Sequence, residues 1–546
     1  MSNHLNLPVK SKRNVLAKDE ILMVTNADML ASANTATWPI QEEAEAKLSR
    51  FLKEEHSLRL VRAHDNSSAE GHGFINSQAY GAKVFSEMDE NAPLIIFLTA
   101  WQYSHHIATS LNMHKGPILI LANFDGRFPG LVGALNLTST LNSLGVPHSR
   151  LWSIDFDDTF FKDKFSEWLN SGKIVHDLSY LKEVTSEDVQ GATGADVGQY
   201  LGEYTLQHKS IMGLFDPYCM GMMNGVFPLK SLTNIGMPLE SLSQSALLHE
   251  MSLVPPALSE ECLNWYEDRG MQFEWSDDVE DGLTREQVLE QCAMMIAAAR
   301  MGERFGCTAV GIQYQKGLKD SCAASDFAEG CLNNAERFPI PDEKGNIIRP
   351  GKPIPCINEV DMGSGIPQIM FYQILEALNL PSETTLHDIR WGSEYNGEFY
   401  WDFEISGNVP FAHLKGGIAG AKGYRQAKLY FPKGGSTISG QCKAGTFIWA
   451  RSHYEGLDVH LHVGTGKAFE LPTEEFERRL NGTTDVWPLM NVQLDGVSRD
   501  ELMAGHQSNH ITVAYVPEDQ LESVLQASLS MGLTLGMQVK KAGSIT

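Results

Sequence analysis

The chain has 546 residues, of which 42% are hydrophobic and 20% are charged, and its formal net charge is −25. That length exceeds what one hydrophobic core usually organises, so we expect two to four domains. An acidic surface repels phosphate backbones, which argues against nucleic acid as the main partner and leaves a neutral sugar or a divalent cation possible.

The N-terminus and the cysteines predict the compartment. Residues 1–20 are polar and lack the apolar segment of a signal peptide, and no apolar run is long enough to span a bilayer. The eight cysteines are scattered and form no CxxC pair, so zinc-ribbon and thioredoxin-type motifs are absent. We therefore expect a cytoplasmic protein that does not bind membranes.

The first third of the chain has the pattern of a parallel sheet. Continuous apolar runs with polar ends, separated by helical stretches, are typical of strands that are buried on both faces. Ligands bind beyond the carboxyl ends of such strands, and Trp101 directly follows one of them. The strands that we predict here are 21–24, 58–61, 93–98 and 117–121, and the helices are 38–55 and 126–145.

The middle of the chain again alternates helices with short apolar strands, and Gln313 follows one of these strands. A proline-rich linker at 349–355 precedes a β-rich region with glycine-rich turns, which is typical of a barrel or sandwich. The predicted fold is α/β, with two Rossmann-like domains (1–175 and 176–355) followed by a barrel-like domain (356–546). The predicted elements are helices 284–305, 365–379 and 518–532, and strands 307–312, 398–405, 427–431, 446–450, 459–463 and 511–515.

Two short acidic motifs flank the linker. If the first motif is helical, Asp326 and Glu329 lie on one face, because they are three residues apart. If the second is extended, Glu359 and Asp361 alternate onto the same side of the chain. These carboxylates are either solvated surface groups or members of one cleft, and composition alone favours the surface.

Other motifs carry less information. His460 and His462 alternate on a predicted strand, so their imidazoles face one way, as some metal sites require. A partly exposed strand face is the interpretation that the pair favours. The dinucleotide motif GxGxxG, the hydrolase motif GxSxG and the phosphate loop GxxxxGK[ST] are all absent from the sequence.

Several motifs, in order along the chain, resemble those of the L-fucose/L-arabinose isomerase superfamily, and the fucose isomerase branch more closely. The first acidic motif resembles the helix that carries a metal-binding glutamate, and the second resembles the one that supplies an aspartate. Met223 stands where that family usually has a tyrosine. The stretches that carry the resemblance are Trp101, Asp216–Glu240, Asp326–Glu329, Asn358–Asp361 with Gly365, Ile405–Pro410 and Ser508–His510.

The resemblance implies a metal-dependent aldose–ketose isomerase. Glu329, Asp361 and His510 would bind Mn²⁺ or Mg²⁺, and Glu329 and Asp361 would share the acid–base work, with the role of Glu359 left open. Two carboxylates and one imidazole suit such a cation, which would stabilise an enediolate. We assign substrate contacts to Trp101, Gln313 and Asn509.

The resemblance also implies a homohexamer, in which Trp101 closes the site of a neighbouring subunit. Two other classes of function stay open on the same scaffold. One is another metal-dependent carbohydrate enzyme, such as an epimerase or a lyase. The other is a non-catalytic sugar-binding protein.

Overall fold

The computed structural model describes residues 10–67, 69–125, 130–278 and 280–543. Within these ranges no helix is long and apolar enough to cross a membrane. All eight cysteines are buried free thiols. The predicted mixed α/β class is confirmed: the described residues form a five-stranded and a three-stranded parallel sheet, a short parallel pair of strands and one large mixed sheet. The division into separate Rossmann-like and barrel-like domains, with boundaries after residues 175 and 355, stays a prediction.

Five strands near the N-terminus form a parallel sheet. The strands are β1 Glu20–Val24, β2 Arg59–Arg62, β3 Leu94–Leu98, β4 Ile118–Asn123 and β5 Ser149–Ser153, and the helices are α1 Ala31–His56, α2 Gln78–Glu87, α3 Ala108–Leu111, α4 Gly130–Ser143 and α5 Thr159–Ser171. The strand order is β2-β1-β3-β4-β5, which reverses between β1 and β3. Doubly wound sheets bind ligands beyond the strand ends at such a reversal.

All four strands predicted in this region are confirmed to within one or two residues. Alternate residues of each strand face different layers: Leu22 and Ile96 belong to the main core, whereas Met23 and Ile95 belong to a second cluster. The start of the predicted helix 126–145 lies outside the described residues.

The middle region contains a smaller parallel sheet. The strands are β6 Leu181–Glu183, β7 Met212–Phe215, β8 Leu239–Leu242, β9 Gln272–Phe273 and β10 Ala309–Ile312, and the helices are α6 Ser186–Val189, α7 Ala195–His208, α8 Leu229–Asn234, α9 Gln244–Leu253, α10 Pro256–Glu267, α11 Arg285–Arg304 and α12 Asp326–Leu332. Three of these strands form the small sheet, in the order β10-β7-β8. Helix α11, which was predicted at 284–305, begins at a capping box formed by Thr284 and Gln287.

The last third of the chain is built on antiparallel strands. The strands are β11 Thr385–Tyr395, β12 Glu398–Glu404, β13 Lys422–Gly423, β14 Gly445–Glu455, β15 Asp458–Phe469, β16 Leu489–Leu494, β17 His510–Tyr515 and β18 Gln538–Ala542, and the helices are α13 Met362–Ala377, α14 Thr473–Leu480, α15 Arg499–Gly505 and α16 Leu521–Thr534. Strands β14-β17-β11-β12-β16-β15 pair in that order, and β15 pairs back onto β14, so the six strands close a ring. The sheet continues from β15 to β18 and then to β6.

One helix joins the two large sheets. Helix α4 is buried from Gly130 to Leu141. It contacts β4 of the N-terminal sheet on one side and β11 and β14 of the ring on another. A helix that is buried on all sides lies between layers rather than on a surface. This contact holds the end of the N-terminal sheet against the ring.

One predicted strand is wrong. Residues 427–431 form a turn, in which the N–H groups of Tyr430 and Phe431 donate to the carbonyl of Ala427 at 3.1 and 2.9 Å. The segment runs into Pro432 and then into the pair Gly434 and Gly435. Proline cannot donate to a strand ladder, and both glycines have positive φ, so the backbone turns back on itself here.

Candidate active site

All three regions of the chain contribute to one pocket with a cavity volume of about 60 Å³. Asp28 follows β1 and Trp101 follows β3, so both stand at the reversal of the N-terminal sheet. Tyr314 and Gln315 follow β10 of the second sheet. The charged residues on the pocket wall are Asp28, Asp326, Glu329, Glu359, Asp388 and Arg390.

The first acidic motif is helical, which is the condition under which we expected Asp326 and Glu329 to share a face. Asp326 and Glu329 both lie on α12, which is buried along its whole length, and both face the pocket. The Oε2 atom of Glu329 accepts hydrogen bonds from the side-chain amides of Asn358 and Asn408, the latter at 3.4 Å. Burial and the neighbouring charge of Asp326 raise the pKa of Glu329 well above its ordinary value. Glu329 is therefore fixed in position inside the pocket wall.

The second acidic motif is not extended, and the expected alternation of its two carboxylates is wrong. Asn358–Val360 form a 3₁₀ turn in which Glu359 and Val360 have φ of 53° and 50°. This left-handed region is costly for a residue with a Cβ, and most of all for β-branched valine. The turn sends Glu359 into the pocket, whereas Asp361 starts α13 and does not line the pocket.

Asp361 instead anchors a buried network behind the pocket. Its Oδ1 accepts from the N–H of Gly363 at 2.9 Å, and its Oδ2 accepts from Ser364 at 3.2 Å and from the Arg451 guanidinium. A Cβ on Gly363 would collide with Nη2 of Arg451, so the glycine is needed for this approach. Burial opposes ionisation, but Arg451 and His510 together hold the pKa of Asp361 below its ordinary value.

His510 connects this network to the pocket. Its Nδ1 lies 2.7 Å from Oδ2 of Asp361, while its Nε2 lies 3.4 Å from Asp388 and 3.7 Å from Glu359. Burial lowers the pKa of His510, but the Asp361 hydrogen bond and the charges of Asp388 and Glu359 outweigh it and raise the pKa overall. Among the described residues Nε2 has no hydrogen-bond partner. One nitrogen of the ring is fixed, and the other is directed at two carboxylates.

Asp388 is a site residue that was not predicted from the sequence. Strand β11 pairs with β17 so that Asp388 stands directly opposite His510. Residues opposite each other in an antiparallel pair share a face. The side-chain amide of Asn509 also donates to Asp388, at 2.8 Å. An acidic residue between His387 and Ile389, in a largely buried strand, was the available signal.

Two of the three predicted substrate contacts line the pocket, and the third does not. Asn509 and Trp101 line the pocket. Trp101 lines the pocket of its own chain. We expected its ring to close the site of a neighbouring subunit, but the ring reaches a site without one. Gln313 does not line the pocket, because its side-chain oxygen accepts a 2.7 Å hydrogen bond from Gln244. Gln315, two residues further on, lines the pocket in its place.

Of the three predicted metal ligands, Asp361 and His510 are in direct contact, and Glu329 stands on the pocket wall. Glu329 and Glu359 line the pocket, and Nε2 of His510 lies close to Glu359 and has no hydrogen-bond partner among the described residues. Both oxygens of Asp361, in contrast, already accept hydrogen bonds. A buried cluster of carboxylates with raised pKa values is an arrangement that a bound cation would stabilise.

Replacing Glu359 by glutamine is expected to stabilise the metal-free protein increasingly as the pH rises. Burial raises the pKa of Glu359 to about 8. Above the unfolded-state pKa of 4.5 the unfolded chain releases this proton and the folded chain keeps it, so the wild type loses stability up to about pH 8. Glutamine stays neutral and escapes this loss, which is on the order of a few kcal/mol.

Urea unfolding of both proteins in a chelator, at intervals across this range, measures the difference. Buried histidines that do not face Glu359 contribute equally to both proteins, whereas His510 does not, because Glu359 contributes to its raised pKa. Glu336→Gln, at an exposed position, is the control and should track the wild type. A difference for Glu359→Gln that stays constant or shrinks with pH would contradict the burial of this carboxylate.

No family model matches the chain, and no curated protein matches it significantly. The resemblance to the L-fucose/L-arabinose isomerase superfamily therefore rests on short sequence motifs alone. The function has to be inferred from the side chains that the fold brings to the pocket.

Proposed function

We propose that the chain is a metal-dependent aldose–ketose isomerase that acts on a free, non-phosphorylated sugar or sugar derivative. One observation carries the proposal. The buried Glu329 and the partly buried Glu359 stand on the wall of the same pocket, and Nε2 of His510 lies 3.7 Å from Glu359. The other nitrogen of His510 is held by Asp361.

The residues that would hold the cation are Glu329, Glu359 and His510. A histidine that binds a metal usually gives its second nitrogen to a carboxylate, which fixes the tautomer and the ring orientation. Asp361 occupies that position, so we assign it to orienting His510 rather than to the metal. Oxygen-rich sites with one imidazole suit Mn²⁺ or Mg²⁺. When bound, such a cation supplies a Lewis acid that polarises the sugar carbonyl.

The protein's own share of the reaction is proton transfer. Isomerisation removes a proton from one carbon of the sugar and returns a proton to its neighbour. Glu329 and Glu359 are the glutamates on the pocket wall, and burial raises the pKa of both. A carboxylate whose pKa approaches neutrality both accepts and returns a proton at working pH. The two amides on Oε2 of Glu329 fix the position from which it acts.

The pocket wall favours an uncharged substrate. Five carboxylates line it, and Arg390 is already paired with Glu404 at 3.2 Å. A phosphate group would therefore find no free cationic side chain on the described pocket wall to bind it. The rings of Trp101, Tyr430 and Trp487 also face the pocket. Their flat faces suit the C–H surface of a sugar, and the carboxylates suit its hydroxyl groups.

A panel of neutral aldoses and their phosphates, followed by NMR in D₂O with and without Mn²⁺, tests the proposal. We expect ketose from at least one neutral aldose, dependence on the added cation, and no turnover of the phosphates. Deuterium at C2 without ketose would indicate an epimerase or a lyase instead. Sugar binding that needs no cation and exchanges no hydrogen would indicate a binding protein.

A homohexamer remains part of the proposal. Since Trp101 lines the pocket of its own chain, assembly is not needed to bring this ring to the site. Light scattering of the purified protein measures the number of copies directly.

A further inference from the structure

A second cluster of possible ligands lies on the β14–β15 hairpin, outside the pocket. The hairpin triad consists of His453, Glu455 and His460, which each offer one donor atom within 4.8 Å of the others. His453 and His460 stand directly opposite each other in the antiparallel pair, and Glu455 is two residues beyond His453, on the same face. The triad is therefore produced by the strand register and not by a flexible loop.

The geometry directs both imidazoles at one carboxylate. Nε2 of His453 lies 3.9 Å from one oxygen of Glu455, and Nε2 of His460 lies 4.0 Å from the other. The two rings are stacked, with centroids 4.8 Å apart and planes 22° apart. His462 packs edge-on against His453, at a centroid distance of 4.9 Å. The histidine pair noted in the sequence thus meets a third histidine across the hairpin.

Both ligand histidines are suited to bind a metal rather than a proton. Burial, with smaller contributions from His462 and His460, lowers the pKa of His453 well below its ordinary value. Burial also lowers the pKa of His460. His453 is 4% exposed, and the nitrogen that it directs at Glu455 is Nε2. A neutral imidazole keeps the lone pair that a metal requires.

We propose that the hairpin triad binds a divalent transition ion of the zinc class, with two imidazole nitrogens and one carboxylate oxygen as protein ligands. Bonds of about 2.0–2.2 Å in a tetrahedral site place the donor atoms about 3.3–3.5 Å apart. The present separations of 3.9 and 4.0 Å exceed this by about half an ångström. The side chain of Glu455 is 61% exposed and is free to close the gap, with water as a fourth ligand.

The two sites differ in donor chemistry. The hairpin offers two nitrogens and one oxygen, whereas the pocket wall is rich in carboxylates. Imidazole favours zinc, copper and nickel, and carboxylate-rich sites favour magnesium and manganese. Zn²⁺ therefore probes the hairpin triad, and the Glu329→Gln background weakens competition from the pocket. The triad does not depend on the proposed isomerase activity.

The test uses full-length protein without an affinity tag, stripped by a chelator and dialysed against ZnCl₂. Bound zinc is counted by elemental analysis in the Glu329→Gln background, alone and with His460→Gln or Glu455→Gln added. Loss of an outer-shell partner costs about 10–100-fold in metal affinity, so loss of a ligand should cost at least about tenfold. We expect each added change to remove one equivalent of zinc. His249→Gln, at an exposed position on α9, is the matched control and should remove none.

Co²⁺ provides a second readout, because four-coordinate cobalt with imidazole ligands absorbs in the visible range. This absorption should be present in the background protein and absent from both hairpin variants. Equal zinc content in the background and in both hairpin variants, each folded by circular dichroism, would overturn the proposal. Glu455 is exposed, so its variant keeps the test valid if His460→Gln does not fold.

Discussion

Replacing Glu329 by glutamine is expected to lower kcat on the accepted sugar by about 10²–10⁴-fold, the range that acid–base groups contribute. The substitution keeps the shape of the side chain and its carbonyl oxygen, which still accepts from Asn358 and Asn408. It removes a carboxylate that serves as both proton carrier and ligand. Burial already favours the neutral acid in the metal-free protein, so the free energy of unfolding at neutral pH should not fall.

The measurements are steady-state kinetics at saturating Mn²⁺, bound manganese, and urea unfolding in a chelator. Glu336→Gln is the matched control, since Glu336 is exposed and lies seven positions further along the chain. Its kinetics and metal content should equal those of the wild type. If Glu329→Gln retains both turnover and bound manganese, Glu329 has neither role.

Replacing Arg451 by methionine is expected to destabilise the protein by about 3–5 kcal/mol, the cost of breaking a buried ion pair. Arg451 is fully buried, and it donates to Asp361 and, at 2.9 Å, to Ser364. Methionine leaves the charge of Asp361 without its guanidinium. Urea unfolding at pH 7 measures the loss, and Arg50→Met, at an exposed position on α1, is the control.

The double variant Arg451→Met with Asp361→Asn separates the charge from the packing. Asparagine caps a helix as well as aspartate does, so the bond to Gly363 at the start of α13 is kept. Because the double variant leaves no unpaired buried charge at position 361, it should recover most of the free energy of unfolding that the single variant loses. A single variant that loses less than about 1 kcal/mol would mean that Asp361 is protonated or solvated instead of paired.

Local sequence information was sufficient for the acidic helix but not for the turn that follows it. Asp326 and Glu329 share a face because helix geometry depends only on their spacing. The different directions of Glu359 and Asp361 depend on the positive φ of Glu359 and Val360. A β-branched residue such as valine rarely adopts that region. Tertiary contacts of Asp361 with Arg451 and His510 impose this conformation, and a local pattern does not contain them.

The missed strands have a similar explanation. Strand β11 interrupts its apolar residues with His387, Asp388 and Arg390, and Arg390 is buried against Glu404 of the neighbouring strand β12. Strand β16 is also missing from the predicted elements. Asp388 was missed together with β11, because its role depends on the register with β17. Strands that are continuous and apolar, such as β3 and β4, were predicted correctly from composition alone.

The closed ring of six strands also limits how copies of this chain associate. Each strand of the ring is paired on both sides, and in the described residues the large sheet ends at β6. That strand has three residues, of which Lys182 and Glu183 are exposed and charged. Short charged edges discourage the addition of a strand from another molecule. Association through the ring therefore has to use side-chain surfaces, and the strand that carries His510 is shielded from intermolecular pairing.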